Sequence, residues 1–133
     1  MKSPKKKKPS ISSLKKKVDL VFKKFIRLRD GKCLRCGTTQ ALHASHTIPV
    51  SHGNRLRYDE ENVITLCFHC HKAWWHAYPT ESGKWFKKTF PKKHKYIERV
   101  KNERKKFTIE ELQELYDHYK EEVEKLEKKL KGE

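Results

Sequence analysis

The 133-residue chain has only four cysteines, five glycines and five prolines, and it lacks a long apolar run. No stretch of about 18 apolar residues exists, so no membrane-spanning helix is expected, and no apolar signal-peptide core adjoins the N-terminal lysines. A disulfide-bonded secreted protein is therefore disfavoured, and a reducing, cytoplasmic location without membrane attachment is expected. Hydrophobic residues make up 35% of the chain, so the apolar core must be modest. Small cores commonly need a metal or a disulfide.

The four cysteines form two Cys-x-x-Cys pairs, at residues 33–36 and 67–70. Two thiolates at this spacing lie on one side of a tight turn, and two such turns complete a tetrahedral Zn²⁺ shell. The interval 37–66 is longer than the roughly 15–20 residues of a simple four-cysteine zinc site. The spacing predicts a structural zinc held by Cys33, Cys36, Cys67 and Cys70. Polar side chains suited to an active site lie in the interval and just beyond it: His46, Asn62 and His71.

The net charge of +16 is unevenly distributed along the chain. Residues 1–29 carry +11, residues 30–83 carry 0, residues 84–107 carry +9 and residues 108–133 carry −4. Two basic arms beside a neutral module are typical of a protein that binds the phosphate backbone of nucleic acids, although a solubilising surface or a membrane-surface patch is the alternative. The candidate contacts are Lys15, Lys16, Lys23, Arg27, Arg55, Arg57, Lys72, Lys87, Lys88, Lys92 and Lys93.

The pattern of charge and hydrophobicity divides the chain into five segments. Residues 1–11 are a basic tail that we expect to be disordered, and residues 12–30 form an amphipathic helix capped by Ser12 or Ser13. Residues 31–80 form the zinc-stapled core, residues 81–106 are basic and aromatic, and residues 107–133 form a second amphipathic helix. The first helix has one apolar stripe of Ile11, Leu14, Val18, Val21, Phe25 and Leu28.

The C-terminal helix has the clearest local signal. Thr108 and Glu111 form a capping box, which Phe107 and Leu112 can reinforce by apolar contact. Its apolar residues recur at steps of three and four over about three heptads. This stripe either packs on the first helix or forms a homodimer.

The core segment is expected to contain two short strands, within 40–50 and 62–66, and a helix from His71 to Tyr78. Trp74 and Trp75 are adjacent on that helix, so at most one is expected to face the core. The other, like Trp85, is a candidate for stacking on a base.

Cleavage of a phosphodiester needs an activated water, stabilisation of the transition-state charge, and help for the departing oxygen. One divalent metal can supply the last two, and a neutral imidazole can supply the first. A strand-borne histidine facing a helix-borne metal ligand is therefore a minimal site, and His46, Asn62 and His71 have this chemistry in this order.

The run Leu42-His-Ala-Ser-His-Thr-Ile-Pro49, followed by Asn62-Val-Ile-Thr-Leu-Cys-Phe-His-Cys-His-Lys72, resembles the HNH (ββα-metal) nuclease motif. The wider chain resembles the phage lambda NinG/Rap recombination-protein family. That resemblance is carried by segments 14–30, 44–46 and 56–63 and by the helix from Phe107.

The resemblance implies an α+β fold, with a small treble-clef-like HNH core between the two amphipathic helices. It implies that His46 is the general base and that His71 is a ligand to a catalytic Mg²⁺ or Mn²⁺. Asn62 would fix the hairpin and His46, or would itself coordinate the metal. The implied activity is endonucleolytic cleavage of DNA, with branched or single-stranded recombination intermediates as substrates and 5′-phosphate and 3′-hydroxyl products.

One departure from the motif concerns the metal shell. Many HNH sites have Asp or His directly before the base, where this chain has Ser45. His43 is a possible substitute, although it and His46 face opposite ways in an ideal strand. His52, His69 and His76 are expected to be ordinary surface or hydrogen-bonding histidines. The alternative function is a non-catalytic zinc module that binds nucleic acid, or a recombination adaptor.

Overall fold

The computed structural model describes residues 10–52 and 55–132, apart from the side chain of His52. The basic tail before residue 10 and the Gly53-Asn54 pair lie outside the described residues. In chain order the elements are α1 (Ile11–Asp30), β1 (Leu42–His46), 3₁₀-helices at Val50–His52, Arg55–Tyr58 and Glu60–Asn62, β2 (Val63–Cys67), a π-helix (Cys70–Trp75), α2 (Pro79–Thr89), α3 (Pro91–Val100) and α4 (Ile109–Leu130). The expectation of a mixed fold with helices and a small antiparallel sheet is confirmed. None of the described helices is long and apolar enough to cross a membrane.

Helix α1 begins earlier than the sequence predicts. Ser10, and neither Ser12 nor Ser13, is the N-cap, because its hydroxyl accepts a hydrogen bond from the Ser13 amide at 3.1 Å. The helix ends at Gly31, whose φ of 70° suits a residue without a side chain, and whose amide donates to the Arg27 carbonyl at 2.8 Å. The predicted apolar stripe is partly wrong: Ile11 is exposed, and the buried residues are Leu14, Val18, Phe22, Phe25 and Ile26.

Helix α4 packs on α1 through the stripe that the sequence left available for either packing or dimerisation. The two helices run in the same direction, since Lys17 lies over the Tyr116 ring and Lys24 pairs with Glu127 at 3.0 Å. Tyr119 packs against Phe22 with ring centroids 5.0 Å apart. The predicted capping box is confirmed: the Glu111 amide donates to the Thr108 hydroxyl at 3.1 Å, and the Thr108 amide donates to the Glu111 carboxylate at 3.2 Å.

The two-stranded sheet lies between two apolar clusters. Strand β1 pairs antiparallel with β2 in a register that sets His43 opposite Leu66 and His46 opposite Val63. All five residues of β2 are buried. Val63 joins the cluster formed with α1 and α4, whereas Ile64 and Leu66 join the cluster around the cysteines, the π-helix, α2 and α3. Both faces of the hairpin are therefore covered, which fixes its position within the domain.

The expectation that only one of the two adjacent tryptophans reaches the core is wrong. Trp74 and Trp75 are 6% and 8% exposed. The Arg35 guanidinium lies 3.9 Å from the Trp74 ring centroid, and Trp85 packs against the same ring at 5.2 Å. Both indoles are buried because the segment after the core, for which the sequence predicted no regular element, forms α2 and α3 and encloses the π-helix from a second side.

Candidate metal centre and histidine site

The four cysteines meet at one point, as the spacing of the two Cys-x-x-Cys pairs predicts. Their Sγ atoms all lie within 4.8 Å of one another, and the Cys36 and Cys67 Sγ atoms are 3.7 Å apart. In a tetrahedral Zn²⁺ site with Zn–S bonds of about 2.3 Å, sulfurs are separated by about 3.8 Å. The cluster therefore has the ligand type and the spacing for a structural metal ion such as Zn²⁺.

All four cysteines are free thiols, so the disulfide alternative is excluded for this structure. The amides of Cys36 and Cys70 donate to the Sγ atoms of Cys33 and Cys67 at 3.5 and 3.4 Å. Burial raises the pKa of Cys33, but hydrogen bonds from backbone groups, chiefly that of Cys36, outweigh it and lower this pKa to about 6. The first turn therefore favours the thiolate form of Cys33 that metal binding requires, whereas burial raises the pKa of Cys70 to about 12.

His46 is the last residue of β1, and its ring is held from the loop between the strands. Its Nε2 lies 2.9 Å from the Arg57 carbonyl oxygen. Because a carbonyl only accepts, Nε2 carries the proton and Nδ1 of the neutral ring is the free acceptor. The Trp75 indole donates to the His46 carbonyl at 3.4 Å, which ties the strand end to the π-helix. Burial lowers the pKa of His46 below its ordinary value of 6.5, so the ring is neutral at pH 7.

The loop that holds His46 is itself fixed by α1. The Arg57 guanidinium pairs with the Asp19 carboxylate through contacts of 2.8 Å from Nη2 and 3.4 Å from Nε. Both side chains are 23% exposed, so the pair is partly shielded from solvent. Asp19 therefore helps to position the carbonyl that orients His46. The sequence gives no local signal for this link, because the two residues are 38 positions apart.

Asn62 closes the other side of the same loop. Its side chain is fully buried. The Oδ1 atom accepts from the Ile48 amide at 2.9 Å, and Nδ2 donates to the carbonyls of Ile48 and Leu56, both at 3.1 Å. The amide is thus engaged at both ends in holding the segment after His46. This geometry favours the first of the two roles implied for Asn62, fixing the hairpin, over the second, metal coordination.

His71 lies in a chain of three imidazoles. Its Nδ1 is 3.1 Å from Nδ1 of His43, and its Nε2 is 2.8 Å from Nε2 of His76. The structure therefore brings His43 and His71 together, whereas the ring of His46 bonds to the Arg57 carbonyl. The two histidines of the motif, His46 and His71, share no hydrogen bond among the described residues.

His76 reaches His71 because the helix is of the π type. The His76 amide donates to the His71 carbonyl, five residues back, at 3.1 Å. In an ordinary α-helix residues five apart point about 140° away from each other, since each residue turns the chain by 100°. A π-helix brings residues i and i+5 to the same side. Sequence periodicity alone therefore gave no reason to group the two histidines.

The surroundings of His71 favour a neutral ring. Burial lowers the pKa of His71 to about 4, with further lowering by His76 and His43. Neutral imidazole nitrogens are common ligands of transition metals. His43 and His76 contact opposite nitrogens of His71, so the three rings do not converge on one ion; His71 can offer one nitrogen together with His43 or with His76 as a two-imidazole donor pair.

The candidate DNA contacts fall into two groups. Three of the cations have acidic partners: Arg57 with Asp19, Arg55 with Glu103, and Lys93 with Glu61. Their charges are partly neutralised within the protein. Others are exposed and free of any ion pair among the described residues: Lys16, Lys72, Lys87, Lys88 and Lys92. Lys15, Lys23 and Arg27 are half-buried on α1.

Comparison with known proteins gives one family. The model of the family described as Bacteriophage Lambda NinG protein matches residues 1–129. No curated protein and no solved structure matches the chain.

Proposed function

The chain belongs to the bacteriophage lambda NinG family, and on that premise we propose that it is a metal-dependent endonuclease of the HNH type. Its proposed substrates are branched or single-stranded DNA recombination intermediates. The observation that carries the proposal is the hairpin and helix at the centre of the fold. A β-hairpin with His46 at the end of its first strand is followed by a helix that bears His71 in contact with His43. This order of groups along the chain is that of the HNH motif, and it supports the proposal.

His46 is the proposed general base. The Arg57 carbonyl holds the tautomer in which Nδ1 is unprotonated, and burial keeps the ring neutral at pH 7. A neutral imidazole with a fixed tautomer can accept a proton from the attacking water at Nδ1. Asn62 and the pair of Asp19 with Arg57 act through His46, as positioning residues.

His71, with His43 or His76, is the proposed holder of the catalytic metal. A divalent metal there would stabilise the charge on the scissile phosphate and on the departing oxygen. Imidazole ligands suit Mn²⁺ or a later transition metal better than Mg²⁺, which prefers oxygen ligands. We therefore expect Mn²⁺ to support faster cleavage than Mg²⁺. Ser45 stands where other HNH sites have an acidic metal ligand, and its short side chain is fully buried. His43 lies two residues earlier, on the same face of β1 as Ser45. His43 is therefore the proposed replacement for that ligand.

DNA binding is proposed to depend on phosphate contacts by exposed lysines. Lys72 lies on the π-helix beside His71, and Lys87 and Lys88 lie in the last turn of α2. Lysines bind phosphates as point charges and read no sequence. Low sequence specificity and a strong dependence of affinity on salt are expected.

The test is cleavage of labelled linear duplex, single-stranded, forked and four-way-junction DNA, with Mn²⁺ or Mg²⁺. His46→Ala should lower the cleavage rate by about 10²- to 10⁴-fold, the range typical of a general base. DNA affinity should change little, because His46 carries no charge at pH 7. His118→Ala, which removes an exposed histidine on α4, is the matched control and should cleave like wild type.

Two outcomes would contradict the proposal in different ways. DNA binding without cleavage in either metal, by protein shown to contain its zinc, would leave the non-catalytic zinc module as the function. Cleavage that persists unchanged in His46→Ala would keep the nuclease but remove His46 as its base.

A further inference from the structure

Arg35 lies between the two cysteines of the first Cys-x-x-Cys pair, and its side chain reaches across to the second pair. Its Nη1 atom is 3.5 Å from the Cys70 Sγ atom, and its Cζ atom is 3.9 Å from the centroid of the Trp74 ring. Among the residues that the structure describes, Arg35 is the one charged side chain that donates a hydrogen bond to a cysteine sulfur. The guanidinium therefore links the two halves of the metal centre.

A zinc ion in this centre would leave an excess of negative charge, since four thiolates would share one divalent cation. Three of the ligands, Cys33, Cys67 and Cys70, are buried in an apolar cluster. Charge in such surroundings is costly unless it is paired and hydrogen-bonded. The amides of Cys36 and Cys70 donate to two of the sulfurs but carry no net charge, whereas Arg35 brings a positive charge to a third.

The Trp74 ring that supports the guanidinium is itself fixed. It is buried and packs edge-to-face against Trp85, with ring centroids 5.2 Å apart. A planar guanidinium can stack on an aromatic face while the N–H groups at its edge donate hydrogen bonds, whereas the ammonium group of lysine is a point charge on a flexible stem. Trp74 therefore holds Arg35 in the orientation that reaches the Cys70 sulfur.

We infer that Arg35 helps the protein to retain its structural zinc, because its guanidinium donates to the Cys70 thiolate and offsets part of the negative charge of the metal centre. Through the same contact Arg35 connects the first cysteine pair to the start of the π-helix, which begins at Cys70. This inference concerns the metal centre alone and does not depend on the proposed nuclease function.

The test measures the zinc affinity of wild type, Arg35→Gln, Arg35→Lys and Lys32→Gln by competition with a chromophoric chelator at constant pH. Arg35→Gln should bind zinc roughly 10- to 100-fold more weakly, the range for loss of an outer hydrogen-bond partner of a metal ligand. Arg35→Lys should recover part of the affinity, because it restores the charge without the planar group. Lys32→Gln is the matched control and should bind zinc like wild type, since Lys32 is an exposed cation beside Cys33 with no hydrogen bond to a sulfur among the described residues.

The dependence of zinc affinity on salt separates a role of charge from a role in packing. The distance over which exposed charges interact falls from about 10 Å at about 0.1 M salt to about 3 Å at about 1 M. The difference in zinc affinity between wild type and Arg35→Gln should therefore narrow as the salt concentration rises. A difference caused by lost packing on Trp74 would not narrow. Far-UV circular dichroism of the zinc-loaded variants should match wild type, because Arg35 is exposed.

Three results would overturn the inference. Equal zinc affinity in wild type and Arg35→Gln would show that the guanidinium contributes nothing, and an equal loss in Lys32→Gln would show that only the net charge of the surface matters. A loss in Arg35→Gln that neither salt nor the lysine variant reduces would assign Arg35 a packing role alone. No DNA is present in these measurements, so each result holds whether or not the protein cleaves DNA.

Discussion

Replacing Asn62 with alanine should destabilise the zinc-loaded protein by about 3 kcal/mol. The side chain is fully buried and makes three hydrogen bonds, of 2.9, 3.1 and 3.1 Å, to backbone groups of Ile48 and Leu56. Each such bond contributes about 1 kcal/mol net, and backbone groups that lose a buried partner add to the loss. A change of this size is a large part of the 5–15 kcal/mol typical of a folded domain.

Asn62→Asp separates lost hydrogen bonds from lost volume. The two side chains have nearly the same shape, but a carboxylate would face the carbonyl oxygens of Ile48 and Leu56 with no donor. We therefore expect Asn62→Asp to be at least as destabilising as Asn62→Ala at neutral pH. If cavity formation dominated instead, the aspartate variant would be close to wild type.

The assay is urea unfolding of the zinc-loaded proteins, followed by far-UV circular dichroism. Asn102→Ala is the matched control, because Asn102 is exposed after α3. Surface substitutions of this kind are usually within about 0.5 kcal/mol of wild type. A loss below about 1 kcal/mol for Asn62→Ala would refute the claim that its amide fixes the loop.

Three further perturbations have expected outcomes. Removal of zinc by a chelator should unfold the core and expose Trp74 and Trp75, because three of the four cysteines are buried in the same cluster; unchanged tryptophan fluorescence would contradict this. The free energy of unfolding should fall as pH falls below 6.5, because His46 then gains a proton in the unfolded chain but stays neutral when buried in the folded protein. The decrease in this free energy per pH unit should be smaller in His46→Ala than in His118→Ala. Equal decreases in the two variants would contradict the burial of a neutral His46. Thr108→Ala should lower stability by about 1 kcal/mol through loss of the N-cap of α4, measured by urea unfolding, and a neutral result would argue against the cap.

The features that local sequence rules predicted well depend on short-range chemistry. The capping box of Thr108 and Glu111 and the turn within each Cys-x-x-Cys pair follow from spacings of a few residues, and the preference of a metal for four thiolates predicts that the two pairs meet. The pairing of α1 with α4 was one of two arrangements that their apolar stripes allow. The start of α1 was misjudged because several serines compete for the cap and only Ser10 has the geometry.

The features that sequence analysis missed depend on distant residues or on a change of helix type. The His71–His76 contact needs a π-helix, and periodicity analysis assumes 3.6 residues per turn. Burial of both Trp74 and Trp75 needs α2 and α3 as a cover, and the high lysine content of that segment hides its helical character. The contact of Asp19 with Arg57 depends on how α1 lies against the loop, which no local pattern records.

The most direct test of the central claim is the single-turnover rate of DNA cleavage as a function of Mn²⁺ concentration, compared between wild type, His71→Ala and His69→Ala. His69 is an exposed histidine two residues before His71, so its variant controls for the loss of an imidazole near the zinc. The account predicts saturable, Mn²⁺-dependent cleavage by wild type and His69→Ala, and a rate that falls by more than tenfold or needs far more Mn²⁺ in His71→Ala. Equal rates and equal Mn²⁺ dependence in all three proteins would contradict a catalytic metal at His71.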